Sequence, residues 1–172
     1  MIHSGRTPFR VEKFRRWTEL GHLRSCVDMK SDFPSSDEYS AEKAKFPSMT
    51  VVDIRAEHAG ITDFYKNQVL LNINKECMRL SVFEGEYRWH HHPASDELFL
   101  VVAGELQIDF EHAPQITLTE WQSVVIPAGT VHRTRAIGRT VNVTYEAQGA
   151  QTVFVEAPSN ESFDPNPHQG GA

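Results

Sequence analysis

From about residue 49 onward, apolar and β-branched residues come in short runs broken by turn formers. The runs are Thr50–Ile54, Val69–Ile73, Met78–Phe83, Leu98–Val102, Leu106–Phe110, Gln115–Leu118, Ser123–Ile126, Val141–Tyr145 and Thr152–Val155. Gly85, Ala103-Gly104-Glu105, Glu111-His112-Ala113-Pro114 and Pro127-Ala128-Gly129 punctuate them. Such grammar predicts an all-β antiparallel sandwich or barrel. The connections are too short for the crossover helices of a parallel sheet. Upstream the texture differs. Val11, Phe14, Trp17, Leu20 and Leu23 recur every three residues and predict a short amphipathic helix over roughly 10–24, with Gly21 working against it. Lys30 to Glu38 reads as loop. The expected organisation is an arm over 1–48, a barrel over 49–157 and a loose tail over 158–172, where Pro158, Pro165, Pro167, Gly170 and Gly171 fall.

Composition narrows the function classes. The chain has 172 residues, 40% of them hydrophobic, and a formal net charge of −6. A core can form, and no basic block offers itself to a phosphate backbone, so nucleic acid is not expected as a partner. No apolar run approaches the ~20 residues of a membrane span, and the first residues lack the apolar stretch of a secretory signal. Two cysteines, Cys26 and Cys77, make neither a disulfide framework nor a four-cysteine zinc site. A cytoplasmic protein is the expectation.

The chemistry concentrates in Tyr87-Arg88-Trp89-His90-His91-His92-Pro93-Ala94-Ser95-Asp96-Glu97. On an extended chain alternate side chains share a face, so His90 and His92 point one way and His91 the other. Glu97 opens the next strand, and if that strand pairs beside the first it faces the same interior. His132 follows the Pro127-Ala128-Gly129 turn and starts a more distant strand. Taken singly, each of these reads as a solvated loop or strand end. Together, His90, His92, Glu97 and His132 form a donor set for one divalent transition metal, ~2.0–2.2 Å from each ligand atom, with coordination positions left open.

These motifs resemble those of small single-domain cupins. The first cupin motif is matched by His90-His91-His92, Glu97 and Gly104, with Gly85 one residue closer than usual. The second is matched by Pro127, Gly129 and His132. Trp121 stands where that motif has Gly, and Ala136 where it has Asn. The phrase Tyr-Arg-Trp-His-His-His with Asp-Glu-Leu-Phe-Leu-Val is especially similar to cupins of the mannose-6-phosphate-isomerase-like type. The resemblance covers about residues 50–157 and implies a double-stranded β-helix, the jelly roll, with the metal inside. It also implies a range of chemistries: dioxygen activation with Fe, or Lewis-acid isomerase, decarboxylase or lyase chemistry with Mn, Ni or Zn.

Strand parity predicts the lining of the pocket. Arg88 shares parity with His90, Phe99 and Val101 with Glu97, and Thr134 with His132. Arg88 would then pair with a substrate carboxylate or phosphate. No separate acid–base pair is identifiable, so catalytic residues other than the metal ligands are left unassigned. The expected function is that of a metal-dependent enzyme on a small carboxylate- or carbonyl-bearing molecule. The alternative is a non-catalytic module binding a sugar or organic acid. The aromatic arm and unpaired edge strands suggest a homodimer.

Overall fold

A computed structural model of the chain describes residues 33–158. The predicted helix over 10–24 and nearly all of the predicted tail lie outside the described residues. Two short helices precede the sheet, α1 (Ser36–Ala41) and α2 (Ile54–Ala59). The strands are β1 (Tyr65–Ile73), β2 (Glu76–Glu86), β3 (His90–His91), β4 (Glu97–Phe110), β5 (Ile116–Thr119), β6 (Ser123–Ile126), β7 (His132–Ala147) and β8 (Val153–Phe154). All pairings are antiparallel, and β7 lies between β2 on one side and β4 on the other. The sheet runs β1-β2-β7-β3-β8, with β4 pairing β5, β6 and β7. It curls into the double-stranded β-helix that the motifs implied.

Alternation along the strands sorts the side chains onto two faces. Leu80 and Val82 of β2 pack with Val141 and Val143 of β7 on the outer face. Phe46, Val52, Ile54 and Ile61 cover them. Burying each such aliphatic side chain is worth about 1.5–3 kcal/mol. The inner face carries a second cluster, Phe83, Phe99, Val101, Leu106, Ile108, Leu118, Ile126 and Ala136. Inward positions toward the β2–β7 half are polar instead, and the candidate site lies there.

Several local expectations need correcting. Thr50–Ile54 is no strand: Asp53 caps α2, its carboxylate accepting from the amides of Arg55 and Ala56. Ile-Arg-Ala-Glu-His-Ala then follows with few helix-weakening residues. The stretch read as loop contains a capping box, in which Ser35 and Glu38 satisfy each other's backbone amides and start α1. The compact unit begins at Pro34, so it takes in residues 34–48 as well as the barrel. Residues of that segment reach the barrel: the Lys45 and Phe46 amides donate to Val69 and Leu70 on the edge strand β1, at 2.9 and 3.0 Å.

The turn expected at 103–105 is a bulged stretch inside β4, whose register against β7 slips on both sides of Ala103. Gly104 has φ +87, and a Cβ there would sit 2.8 Å from Thr140 Oγ1 and 2.9 Å from the Arg139 carbonyl oxygen. Gly104→Ala is therefore expected to cost about 1–3 kcal/mol. Thermal unfolding checks this, and a melting temperature within about 1 °C of wild type would refute it.

Candidate metal centre

Three segments bring the candidate ligands together. His90 in β3 pairs directly with His132 at the start of β7. Glu97, the first residue of β4, pairs with Ile126, the last of β6. The Pro127–Gly129 turn is tied back to the histidine segment, because the Gly129 amide donates to the His92 carbonyl at 2.8 Å. The Ala128 amide donates to Asp96 Oδ1 at 2.9 Å. Residues far apart in sequence are thus held on one inner wall of the barrel.

All four residues are buried, none more than 5% exposed. One ligand atom each from His90, His92 and Glu97 lie within 4.8 Å of one another. Glu97 Oε2 is 3.2 Å from His92 Nε2 and 3.7 Å from His132 Nε2. The His90 and His132 rings have centroids 4.4 Å apart.

The far side of each imidazole fixes which nitrogen faces inward. Nδ1 of His90, His92 and His132 sits 2.9, 3.0 and 2.9 Å from the carbonyl oxygens of Arg88, Gln151 and Thr130. A carbonyl only accepts, so each Nδ1 carries a hydrogen. In the neutral ring, Nε2 is then a bare lone pair. For His92 and His132 those lone pairs face a carboxylate. Glu97 Oε2 and His132 Nε2 are buried, and their nearest polar neighbours are within this same cluster. Acceptors facing acceptors in a buried site call for a positive charge between them, either a proton on an imidazole or a metal ion.

The titration behaviour without metal follows the same physics. Burial, then the charge of neighbouring His132, pulls His90 down to about 3. Burial also acts to lower His92, but the hydrogen bond and charge of Glu97 outweigh it and push His92 up to about 9. Burial acts to raise Glu97, but its hydrogen bonds to His132 and His92 hold it well below the usual carboxylate range. A proton on His92 supplies the positive charge beside Glu97 when no metal is bound.

Beside the four lies a cluster not anticipated from sequence. Glu146 on β7 and Arg79 on β2 form an ion pair at 2.6 Å, each with a side chain no more than 1% exposed. The Tyr39 hydroxyl donates to Glu146 Oε1 at 2.6 Å, and its ring stacks on His92 at 6.1 Å. Glu146 Oε2 lies 3.9 Å from His92 Nε2. Burial, then the charge of Glu97, pushes Glu146 up to about 7.

A narrow cavity of about 30 Å³, room for about two waters, adjoins the centre and is lined by His90, His92 and Glu97 among others. Phe99 and Thr134 also line it. Arg88 and Val101 do not. The Arg88 guanidinium lies 3.3 Å from the Phe154 ring centroid and donates to the Pro34 carbonyl at 2.9 Å. Parity fails there because residues 87–89 leave the strand, so alternation does not carry from His90 back to Arg88. Val101 does point inward, but deep within the apolar cluster. Trp121, standing at the motif's Gly position, adopts φ +66, the left-handed conformation that a glycine there would take without strain.

Residues 78–145 match the family model of the cupin domain. The Bacillus subtilis (strain 168) protein YdbB is 49% identical over 96 residues, spanning 56% of this chain and 85% of its own. The crystal structure of a cupin-2 domain containing protein from Shewanella frigidimarina is 30% identical with a TM-score of 0.54, covering 56% of this chain and 94% of that one. A Klebsiella pneumoniae protein with a double-stranded β-helix domain shares the fold at 19% identity and TM-score 0.53, covering 62% of this chain and 97% of its own. The chain belongs to the cupin superfamily. Among the described residues no helix is long and apolar enough to cross a membrane.

Proposed function

We propose that His90, His92, Glu97 and His132 hold one divalent transition metal (Fe, Mn, Ni or Zn), and that the protein is an enzyme acting on a small carboxylate- or carbonyl-bearing molecule. The observation that carries this reading is the facing of lone pairs. Imidazole Nε2 atoms, fixed by carbonyls behind them, converge on the inner oxygen of a buried carboxylate. Three imidazoles and a carboxylate suit Fe, Mn, Ni or Zn. When bound, the ion supplies Lewis acidity or, as Fe, access to dioxygen.

The chain's own residues do the rest. Phe99 and Tyr39 wall the cavity and narrow it. The carbonyls of Arg88, Gln151 and Thr130 hold the rings in orientation. Oxygenase, decarboxylase, isomerase and lyase chemistry all fit such a centre.

Metal analysis of protein purified without a histidine tag is expected to find close to one equivalent. Less than roughly a tenth of an equivalent, with no uptake of added Fe, Mn, Ni or Zn, would defeat the reading. A screen of oxygen consumption and decarboxylation with small keto and hydroxy acids is expected to show turnover that disappears in Glu97→Ala. A loaded protein that binds these acids and turns none over would make it a binding module instead.

A further inference from the structure

The inner face of a small barrel is ordinarily apolar, because a buried polar group without a partner is unfavourable. Here a row of polar side chains crosses three neighbouring strands. Asn67 on β1 is opposite Ser81 on β2, and Ser81 is opposite Asn142 on β7. All three line the cavity beside the histidines, as do Thr144 and Thr152. Asn142, Thr144 and Thr152 are 1%, 2% and 3% exposed. Asn142 Oδ1, Thr144 Oγ1 and Thr152 Oγ1 have no hydrogen-bond partner among the described residues. They belong neither to the metal ligands nor to the Arg79–Glu146 ion pair. No Lys or Arg lines the cavity.

We infer that this polar row recognises the ligand's hydroxyl groups, so the substrate is a small α-hydroxy carbonyl compound without a phosphate. This rests on the metal reading above, which gives the carbonyl oxygen its place. A hydroxyl on the neighbouring carbon donates to Asn142 Oδ1, and the Thr144 and Thr152 hydroxyls donate or accept as the ligand requires. The cavity is narrow, which favours a ligand of few heavy atoms. Phosphate is disfavoured because no Lys or Arg lines the cavity to pair with it beyond the metal, and Glu97 sets a negative charge beside it.

Binding to the metal-loaded protein tests this by calorimetry with dihydroxyacetone, acetone and dihydroxyacetone phosphate. Dihydroxyacetone is expected to bind at least tenfold more tightly than either of the others. Thr144→Val and Asn142→Leu supply a second readout. Each is expected to weaken dihydroxyacetone binding about tenfold while raising the melting temperature by roughly 2–4 °C, because an unpaired buried polar group is removed. A merely structural role would lower the melting temperature and leave affinity alone.

If the protein holds its metal but acetone or the phosphate ester binds as well as dihydroxyacetone, or both variants bind it unchanged, the inference is overturned and the metal reading stands. If no metal is taken up, both fall.

Discussion

Arg79→Met is expected to lower the unfolding free energy by about 3–5 kcal/mol, read from urea denaturation. Arg79 is 1% exposed and every direction around it is occupied. Its Nε meets Glu146 Oε1 at 2.6 Å, and its Nη1 meets Glu42 Oε2 at 2.8 Å. Nη2 donates to the Tyr39 carbonyl at 2.6 Å, and the guanidinium lies 3.7 Å from the Tyr39 ring centroid. Arginine's fixed fork makes these contacts at once, which Lys would not reproduce.

Methionine matches much of the bulk but leaves Glu146 buried without its cation. The large effect comes from that orphaned carboxylate more than from the intact pair, whose attraction is largely offset by desolvation. Adding Glu146→Gln to Arg79→Met should therefore recover at least half of the loss, since the amide oxygen still accepts from Tyr39 and carries no charge. A single-variant loss below about 1 kcal/mol, or a double variant no better than the single, would contradict this account.

This cluster shows what the sequence alone conceals. Arg79 sits inside Met78–Phe83, which reads as a half-buried strand, and an arginine there reads as solvent-facing. Glu146 stands near a strand end, where carboxylates are commonplace. Their meeting depends on the β2–β7 register, which sets Cys77 opposite Glu146 and Arg79 opposite Thr144. Tyr39 arrives from a helix preceding the barrel, and local pattern carries no signal for where that helix docks.

The metal-centre candidates were legible for the opposite reason. His90, His92 and Glu97 lie within one hairpin-length stretch, where alternation and a proline turn suffice to aim them. His132 is distant in sequence, but its turn carries its own signature. Parity reached as far as Phe99 and Thr134 and failed at Arg88, which sits in the non-strand stretch 87–89. Inward-facing polar residues such as Asn142 and Thr144 were hidden inside a run whose valines suggested an ordinary strand.

His92→Ala is expected to abolish metal uptake, and with it the stabilisation that metal confers. An ion bound only by the folded state adds about 2.7 kcal/mol at a free concentration of 100 times its dissociation constant. Wild-type protein titrated with Fe, Mn, Ni or Zn should therefore melt several degrees higher when loaded, and chelation should reverse the shift. His92 is the ligand to remove because its Nε2 lies closest to Glu97 Oε2, at 3.2 Å, and its Nδ1 is anchored on Gln151.

His132→Ala should weaken uptake without abolishing it. The compact trio of His90, His92 and Glu97 keeps its ligand atoms within 4.8 Å of one another, and His132 stands beside that trio. Glu97→Gln separates charge from shape. The amide keeps the side chain's size in the buried site, yet it removes the negative charge that offsets a divalent ion, so affinity should fall at least about 100-fold, or roughly 2.8 kcal/mol. Competition against a chelator of known affinity measures all three variants on one scale. Unchanged stoichiometry and affinity in His92→Ala would show that these side chains converge for some purpose other than holding a metal.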